Sequence, residues 1–297
     1  MKKTLLIVGC GDIARRTAPL LQKHYRILGL CRNVEHFSQL KSYGITPIYG
    51  DLDDPKSLEK LAGIAQRILH LAPPPNHGLH DWRTKHLLSA LSKRTKKLGP
   101  ILPQRFLYIS TSGVYGNCDG KLIDETHPVR PENARALRRV DAEKHIRSWG
   151  KRNRVTVSIL RVPGIYAADR LPLNRLREGL PALLATEDSY TNHIHADDLA
   201  RIICAAFQFA KPNRIYHTSD DSHLKMGDYF DLVADIFDYP YPPRISRTEA
   251  EQRISPIMFS FMKESRRLEN MRMKKELHVR LLYPTVRHGV EAARAVK

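Results

Sequence analysis

Short apolar runs rich in β-branched residues alternate with amphipathic segments along much of this 297-residue chain. Runs of this composition, bounded by turn residues, are typical of strands. The predicted strands lie at residues 4–8, 26–30, 46–49, 67–71, 105–110 and 155–162. Strands that alternate with helices pair in parallel through right-handed crossovers. The pattern therefore predicts an α/β fold built on a doubly wound parallel sheet.

Two of the intervening segments show helical periodicity. Residues 12–23 and 132–148 each place apolar side chains three or four positions apart, which predicts helices with one buried stripe. The predicted stripes consist of Ile13, Thr17 and Leu21 in the first helix and Ala142, Ile146 and Trp149 in the second. After residue 162 the alternation loosens, and proline-punctuated segments bracket a return to strand and helix at 192–209.

The first predicted strand ends in Gly9-x-Gly11-x-x-Ala14 and leads directly into the first helix. Gly9 permits a tight turn, Gly11 lets phosphates approach the backbone, and Ala14 lets the helix pack closely on the strand. Asp12 and Ile13 begin the helix, whose free amides favour an anion. This strand–turn–helix arrangement predicts a Rossmann-type site that binds the pyrophosphate of a dinucleotide.

The glycine motif and the later loss of alternation suggest two interleaved lobes. We predict an NAD(P)-binding Rossmann domain over residues 1–165, to which residues 192–216 return. Residues 166–191 and 217–297 are predicted to form a smaller, C-terminal substrate-binding lobe. In open α/β sheets ligands bind at the carboxyl ends of the strands, so the smaller lobe should lie over that edge.

The residue after the second strand predicts the cofactor. An acidic residue there binds the ribose 2′-hydroxyl of NAD, whereas Arg32 offers a bidentate fork to the 2′-phosphate of NADP. NADP is therefore predicted, with NAD as the alternative. The loops after the third and fourth strands are expected to line the rest of the cofactor site, with residues Asp51, Leu52, Leu71, Ala72 and Pro73.

Charge and cysteine content indicate which ligands and which cellular compartment to expect. The formal net charge is +18, with basic clusters at residues 93–97, 135–139, 151–154 and 263–280. Such a field favours phosphorylated or carboxylated ligands. Without a zinc-finger, RNP or basic-zipper signature, no specific nucleic-acid partner is expected. The four cysteines are widely spaced and no apolar stretch reaches the ~18 residues of a membrane span, so a cytoplasmic protein without membrane association is predicted.

The spacing of possible ligands gives little support for a metal. No Cys-x-x-Cys is present, and His193 and His195 could share one strand face but have no evident third ligand. No metal site is therefore expected.

Several longer motifs resemble one family. The segments YISTSGVYG at 108–116, LRVPGIY at 160–166, HIHADDLA at 193–200 and YHTSD at 216–220 resemble the extended short-chain dehydrogenase/reductase superfamily, specifically its NAD(P)-dependent epimerase/dehydratase group. The resemblance implies that Thr111, with Ser112 as the alternative, hydrogen-bonds the reacting oxygen. It also implies that Pro163 and Gly164 lie beside the nicotinamide carboxamide.

This sequence differs from the family at the two positions where the resemblance predicts the catalytic tyrosine and lysine. The family's Tyr-x-x-x-Lys pair, counted back from Ala142-Glu143, falls on Arg135 and Arg139. Arg139 can keep the positive charge and bind the nicotinamide ribose. Arg135 cannot exchange a proton near neutral pH, because guanidinium stays protonated. Tyr115 and Tyr166 are then the alternative candidates for the proton donor.

Two functional hypotheses follow. The first is an NADP-dependent oxidoreductase or epimerase acting on a small polar substrate, with sugar-derived compounds among the candidates. The alternative is a catalytically weak protein that binds NADP(H) and acts as a sensor or regulator; nucleic-acid binding is a more distant third. Similar proteins often dimerise through helices, so a homodimer is one of the oligomeric states left open.

Overall fold

The computed structural model describes residues 2–93 and 101–295, so positions 94–97 of the first basic cluster lie outside the described residues. Within these ranges the chain forms thirteen strands and eleven α-helices. The strands are β1 (Lys3–Val8), β2 (Tyr25–Cys31), β3 (Thr46–Tyr49), β4 (Arg67–His70), β5 (Arg105–Thr111), β6 (Leu122–Ile123), β7 (Thr156–Val162), β8 (Gly164–Tyr166), β9 (Ala182–Leu183), β10 (His193–His195), β11 (Arg214–His217), β12 (Arg244–Ile245) and β13 (Arg267–Leu268).

Helices separate most of these strands. They are α1 (Asp12–Leu21), α2 (Phe37–Ser42), α3 (Trp82–Leu91), α4 (Ala134–Asn153), α5 (Leu173–Arg177), α6 (Ala196–Phe209), α7 (Met226–Phe237), α8 (Arg247–Arg253), α9 (Pro256–Met262), α10 (Met271–Leu277) and α11 (Val286–Ala295).

The central sheet has seven strands in the order β11-β7-β5-β4-β1-β2-β3. All six pairings are parallel. The order reverses direction at β1, where β2 and β3 lie on one side and β4 and β5 on the other. Loops after β1 and β4 therefore diverge and leave a crevice at the carboxyl edge of the sheet, where an open α/β fold binds its ligand. The predicted Rossmann-type parallel sheet is confirmed.

Both faces of the sheet are buried. Along β1, Leu5 and Ile7 pack into a core with α1 and α6, whereas Leu6 and Val8 pack into a second core with α3 and α4. Because successive strand residues point to opposite faces, a strand covered on both sides is apolar at every position. That is why a continuous apolar run, rather than an alternating one, marks each central strand.

Two later segments return to the sheet. β11 pairs with β7 at the sheet edge. In addition, α10 packs against α6, and Met273, Leu277 and Leu281 are buried in the same core as Leu5. The apolar side chains of this segment thus complete the core on one face of the sheet.

A separate core holds the remaining C-terminal elements together. It brings the inward faces of α7 and α11 against β9, β12, α8 and α9, with buried residues such as Val233, Ala250 and Val290. These elements stand beside the loops that follow β5 and β7. Among the described helices none has the length and apolarity needed to cross a bilayer.

Candidate functional site

The turn after β1 has a backbone conformation that glycine adopts without steric clash and other residues do not. Gly9 has φ +96°, and a Cβ there would stand 2.5 Å from the backbone nitrogen of Ala72. The carbonyl of Val8 accepts the amides of Leu71 at 2.8 Å and Ala72 at 2.9 Å, which fixes the turn against the β4 loop. A Cβ on Gly11 would meet no described atom within 4 Å. The space beside Gly11 is therefore open, next to the amides that begin α1.

A first cavity of about 380 Å³ lies on the β2–β3 side of this turn. Its lining includes seven residues that the sequence assigned to the cofactor, namely Gly9, Gly11, Arg32, Asp51, Leu52, Ala72 and Pro73. It also includes Asn33, His36 and Arg83, which sequence reasoning did not assign.

Two arginine side chains line the first cavity. Arg32 is exposed at its edge. Arg83, from α3, donates to the Asp53 carboxylate at 2.6 and 2.8 Å and to the Pro73 carbonyl at 3.4 Å. The Asp51 carboxylate accepts the amide of Asp53 at 3.0 Å, so this acidic side chain is engaged in its own loop.

A second cavity of about 370 Å³ continues from the glycine turn toward β5 and β7. Asp12, Ile13 and Leu71 line it together with Thr111, Arg139 and Pro163, all of which the sequence had nominated. Arg139 donates through Nη1 to the Ile109 carbonyl at 2.9 Å and to the Tyr108 hydroxyl at 3.0 Å. Its guanidinium is thus held at the end of β5, beside the cavity.

A third cavity of about 480 Å³ opens between the sheet edge and the C-terminal elements. Thr111, Pro163 and Arg170 line both this cavity and the second one, so the two are contiguous. Ser112 and Gly164 also line the third cavity. The Thr111 hydroxyl oxygen accepts the amide of Gly113 at 3.2 Å, which leaves its proton available to donate.

Charged residues from α4 and the chain near β13 line the same cavity. Arg135 stands with its guanidinium carbon 4.2 Å from the centre of the Phe261 ring. The Glu264 carboxylate is buried, and it accepts from Asn133 Nδ2 at 2.8 Å and from Arg266 Nη1 at 2.9 Å. Arg135 therefore lies where the N-terminus of α4 meets the cavity.

The two tyrosines considered as proton donors are buried, and their hydroxyls form hydrogen bonds within the protein. Tyr115 is fully buried, and its hydroxyl is engaged by His217 Nε2 at 2.6 Å and by Arg161 Nη1 at 2.7 Å. Burial raises the pKa of Tyr115 to about 12. Tyr166 is also buried, and its hydroxyl donates to the Thr285 carbonyl. Both hydroxyls are therefore engaged by groups within the protein.

The two strand histidines differ in role. His195 Nδ1 accepts the Asp197 amide at 3.2 Å and caps α6. His193 lines the third cavity, and its buried Nδ1 has no hydrogen-bond partner among the described residues. Burial lowers the pKa of His193 to about 4, so its imidazole is neutral near pH 7. Within the described part of the chain, no group of three or more His, Cys, Asp or Glu side chains is arranged to hold a metal ion.

Several site residues escaped sequence reasoning because distant segments bring them in. Arg83 comes from α3, while Glu264 and Arg266 come from the stretch between α9 and β13. His193 was considered only as a metal ligand, since its i, i+2 spacing to His195 was the one local signal. No local pattern in the sequence indicates that Arg83, Glu264 and Arg266 line a cavity rather than lie on the solvent-exposed surface.

Comparison with known proteins shows the family of this chain and the likeness of its fold. The family model described as NAD dependent epimerase/dehydratase family matches residues 6–218. The solved structure of a functionally unknown conserved protein from Silicibacter pomeroyi is 28% identical, with a TM-score of 0.82 over 99% of both chains. UDP-glucuronic acid 4-epimerase from Bacillus cereus, solved with UDP-glucuronic acid and NAD, is 18% identical, with a TM-score of 0.75 over 98% of both chains. That second likeness shows the fold alone.

A curated relative matches only in part. Human dTDP-D-glucose 4,6-dehydratase is 25% identical over 131 residues, which is 41% of this chain and 37% of that protein. The match therefore spans little more than a third of the relative's length.

Proposed function

This chain belongs to the NAD-dependent epimerase/dehydratase family, and we propose that it is an NADP-dependent oxidoreductase or epimerase that acts on a small polar substrate. The observation that carries the proposal is the run of three cavities along the carboxyl edge of the sheet. Gly9, Gly11 and Pro73 line both the first and the second cavity, and Thr111 and Pro163 line both the second and the third. An extended dinucleotide would fit the first two, with the substrate in the third.

The residues of the first two cavities suit this cofactor. The open space at Gly11 and the amides that begin α1 would hold the pyrophosphate. Arg32 favours a 2′-phosphate over a free ribose hydroxyl, because a guanidinium binds phosphate through a planar fork. Arg83 lines the same cavity, but its fork is already bound to the Asp53 carboxylate. Arg139 would contact the nicotinamide ribose, with Pro163 and Gly164 beside the carboxamide. NAD remains the alternative cofactor, since solved relatives hold it.

The third cavity supplies groups for orienting a substrate. A bound nicotinamide would donate or accept the hydride. The Thr111 hydroxyl is positioned to donate a hydrogen bond to the substrate oxygen, because its own acceptor site is occupied by the Gly113 amide.

Proton transfer is assigned to His193 rather than to a tyrosine. A Cβ at residue 164 would stand 3.4 Å from His193 Cδ2 and 3.9 Å from Nε2, so the glycine leaves this ring edge uncovered by a side chain. Because burial lowers the pKa of His193 to about 4, its neutral imidazole would act as the proton acceptor when a substrate hydroxyl is oxidised.

Turnover of the cofactor tests the proposal. Wild-type protein should oxidise NADPH with at least one compound from a panel of aldehydes, ketones and oxo-acids. Thr111→Ala should lower kcat/KM roughly a hundredfold, the scale of losing one oxygen-binding donor, whereas Thr248→Ala on exposed α8 should not change it. Binding of NADPH without turnover across the panel would favour the sensor hypothesis instead.

A further inference from the structure

Arg135 occupies an unusual position for a cation. It is the second residue of α4, two positions after the N-cap Asn133, and its side chain lines the third cavity. The helix dipole places partial positive charge at this end, so an arginine here is less favourable than an acidic residue. The guanidinium packs 4.2 Å from the Phe261 ring centre, which supports it without neutralising it.

The other charges of the cavity are compensated. Arg266 pairs with Glu264 at 2.9 Å, and Arg170 pairs with Asp12 at 3.0 Å. His193 is neutral near pH 7, because burial lowers its pKa to about 4. Among the residues the structure describes, Arg135 is therefore the lining cation that has no carboxylate partner. The cavity carries about one uncompensated positive charge.

The remaining walls are largely apolar. They are formed by methionine and aromatic side chains from α7 and α9 and by one proline directly before α5; these residues include Met226, Tyr229, Phe230, Met258 and Pro172. A ligand that fills this space would bury an apolar body against these side chains while presenting one charged group to Arg135.

We propose that Arg135 binds the carboxylate of an organic-acid substrate whose apolar part lies against the methionine and aromatic wall of the third cavity. This inference rests on the proposed function, because it assigns the substrate class of that same cavity. A carboxylate matches the single uncompensated charge and the guanidinium fork. A phosphate monoester carries nearly two negative charges at pH 7 and would leave the cavity net negative. The replacement of tyrosine by arginine thus exchanges a proton donor for an anion-binding group.

Calorimetric titration of the NADP⁺-saturated protein tests this assignment with three probes that share a benzyl group. Phenylacetate carries a carboxylate, phenylacetamide is its neutral counterpart, and benzylphosphonate carries a phosphoryl group. Phenylacetate should bind at least about tenfold more tightly than phenylacetamide, the scale of one charge-assisted interaction. Arg135→Gln should remove that advantage and Arg135→Lys should keep part of it. Arg147→Gln, which changes an exposed arginine of the same helix, should keep all of it.

Three results would overturn the inference: equal affinity for phenylacetate and phenylacetamide, an unchanged phenylacetate affinity in Arg135→Gln, or tighter binding of benzylphosphonate than of phenylacetate. Absence of any heat from phenylacetate at millimolar concentrations would do the same. The NADP⁺ affinity of each variant is measured first. Intact NADP⁺ binding together with a failed carboxylate preference would refute the substrate class alone, whereas loss of NADP⁺ binding in wild type would refute the proposed function.

Discussion

The most quantitative prediction concerns a buried ion pair beneath the candidate site. Arg161 on β7 meets Glu143 on α4 through Nη2–Oε2 at 2.7 Å and Nε–Oε1 at 3.1 Å. Ser110 donates to the same carboxylate at 2.6 Å, and the charged side chains are only 5% and 6% exposed. Glu143→Gln would keep the shape of the side chain but leave the Arg161 charge buried without its counter-ion.

The expected loss is large because water cannot replace the missing partner. Removing one member of a buried, hydrogen-bonded ion pair typically costs about 3–5 kcal/mol, whereas an exposed pair contributes about 0–1 kcal/mol. Glu251 supplies the matched control, since it pairs with Lys263 at 3.1 Å while the side chains of Lys263 and Glu251 are 50% and 63% exposed. Glu251→Gln should therefore change the free energy of unfolding by less than about 1 kcal/mol.

Urea denaturation followed by circular dichroism measures both variants. A third variant, Glu143→Leu with Arg161→Met, removes both charges and should be less destabilised than Glu143→Gln. A Glu143→Gln loss no larger than that of Glu251→Gln would refute the reasoning. A double variant as unstable as Glu143→Gln would show instead that shape, and not the uncompensated charge, sets the cost.

Three further predictions concern the turn, a tyrosine and the pH dependence. Gly9→Ala should destabilise the fold by about 1–2 kcal/mol and weaken NADPH binding, because φ is +96° and the new Cβ would meet the Ala72 amide. Gly11→Ala should keep the unfolding midpoint and weaken only NADPH binding by calorimetry; an unchanged affinity in both would contradict the pyrophosphate assignment. Tyr115→Phe should cost about 1 kcal/mol in urea denaturation and leave kcat unchanged, since its hydroxyl bonds only to buried groups among the described residues; a large loss of kcat at normal stability would restore it as a catalytic candidate. Burial lowers the pKa of three histidines from 6.5, to about 3, 4 and 3 at His70, His193 and His217. The unfolded chain binds these protons first as pH falls, so the stability they contribute is present above pH 6.5 and lost toward pH 4. The urea midpoint should fall over that window, less steeply in His70→Leu, and a flat profile would contradict the burial of neutral histidines.

The strands of the sheet could be predicted well from the sequence, because burial on both faces requires a continuous run of apolar residues within each strand. Residues such as Leu5 and Ile7 belong to a strand that is buried on both faces. The six predicted strands, including the more exposed edge strand β3, lie within a residue or two of the observed ends. Gly9 was equally readable, since its backbone angle and contact with Ala72 leave little choice of residue. Such predictions succeed where the residues of one short segment are enough to determine its conformation.

Other parts of the site depend on contacts between distant segments. Glu264 reaches the cavity through a hydrogen bond with Asn133, more than a hundred positions earlier in the chain. The polar-rich α10 gave no sign that Met273 completes the core of the sheet. Tyr115 follows the strand-end motif, yet the turn that ends at Gly116, with φ +64°, directs it into the buried network. Spacing along the chain contains no information about which of these contacts forms.

The central claim is that the glycine turn and Arg32 together bind NADP(H). Isothermal titration calorimetry of the purified protein with NADPH and NADH, and of Arg32→Gln with both, tests it most directly. We predict saturable binding of NADPH at least about tenfold tighter than that of NADH, with the difference lost in Arg32→Gln. Absence of heat with either nucleotide on folded protein, or equal affinity for both in wild type, would contradict the claim.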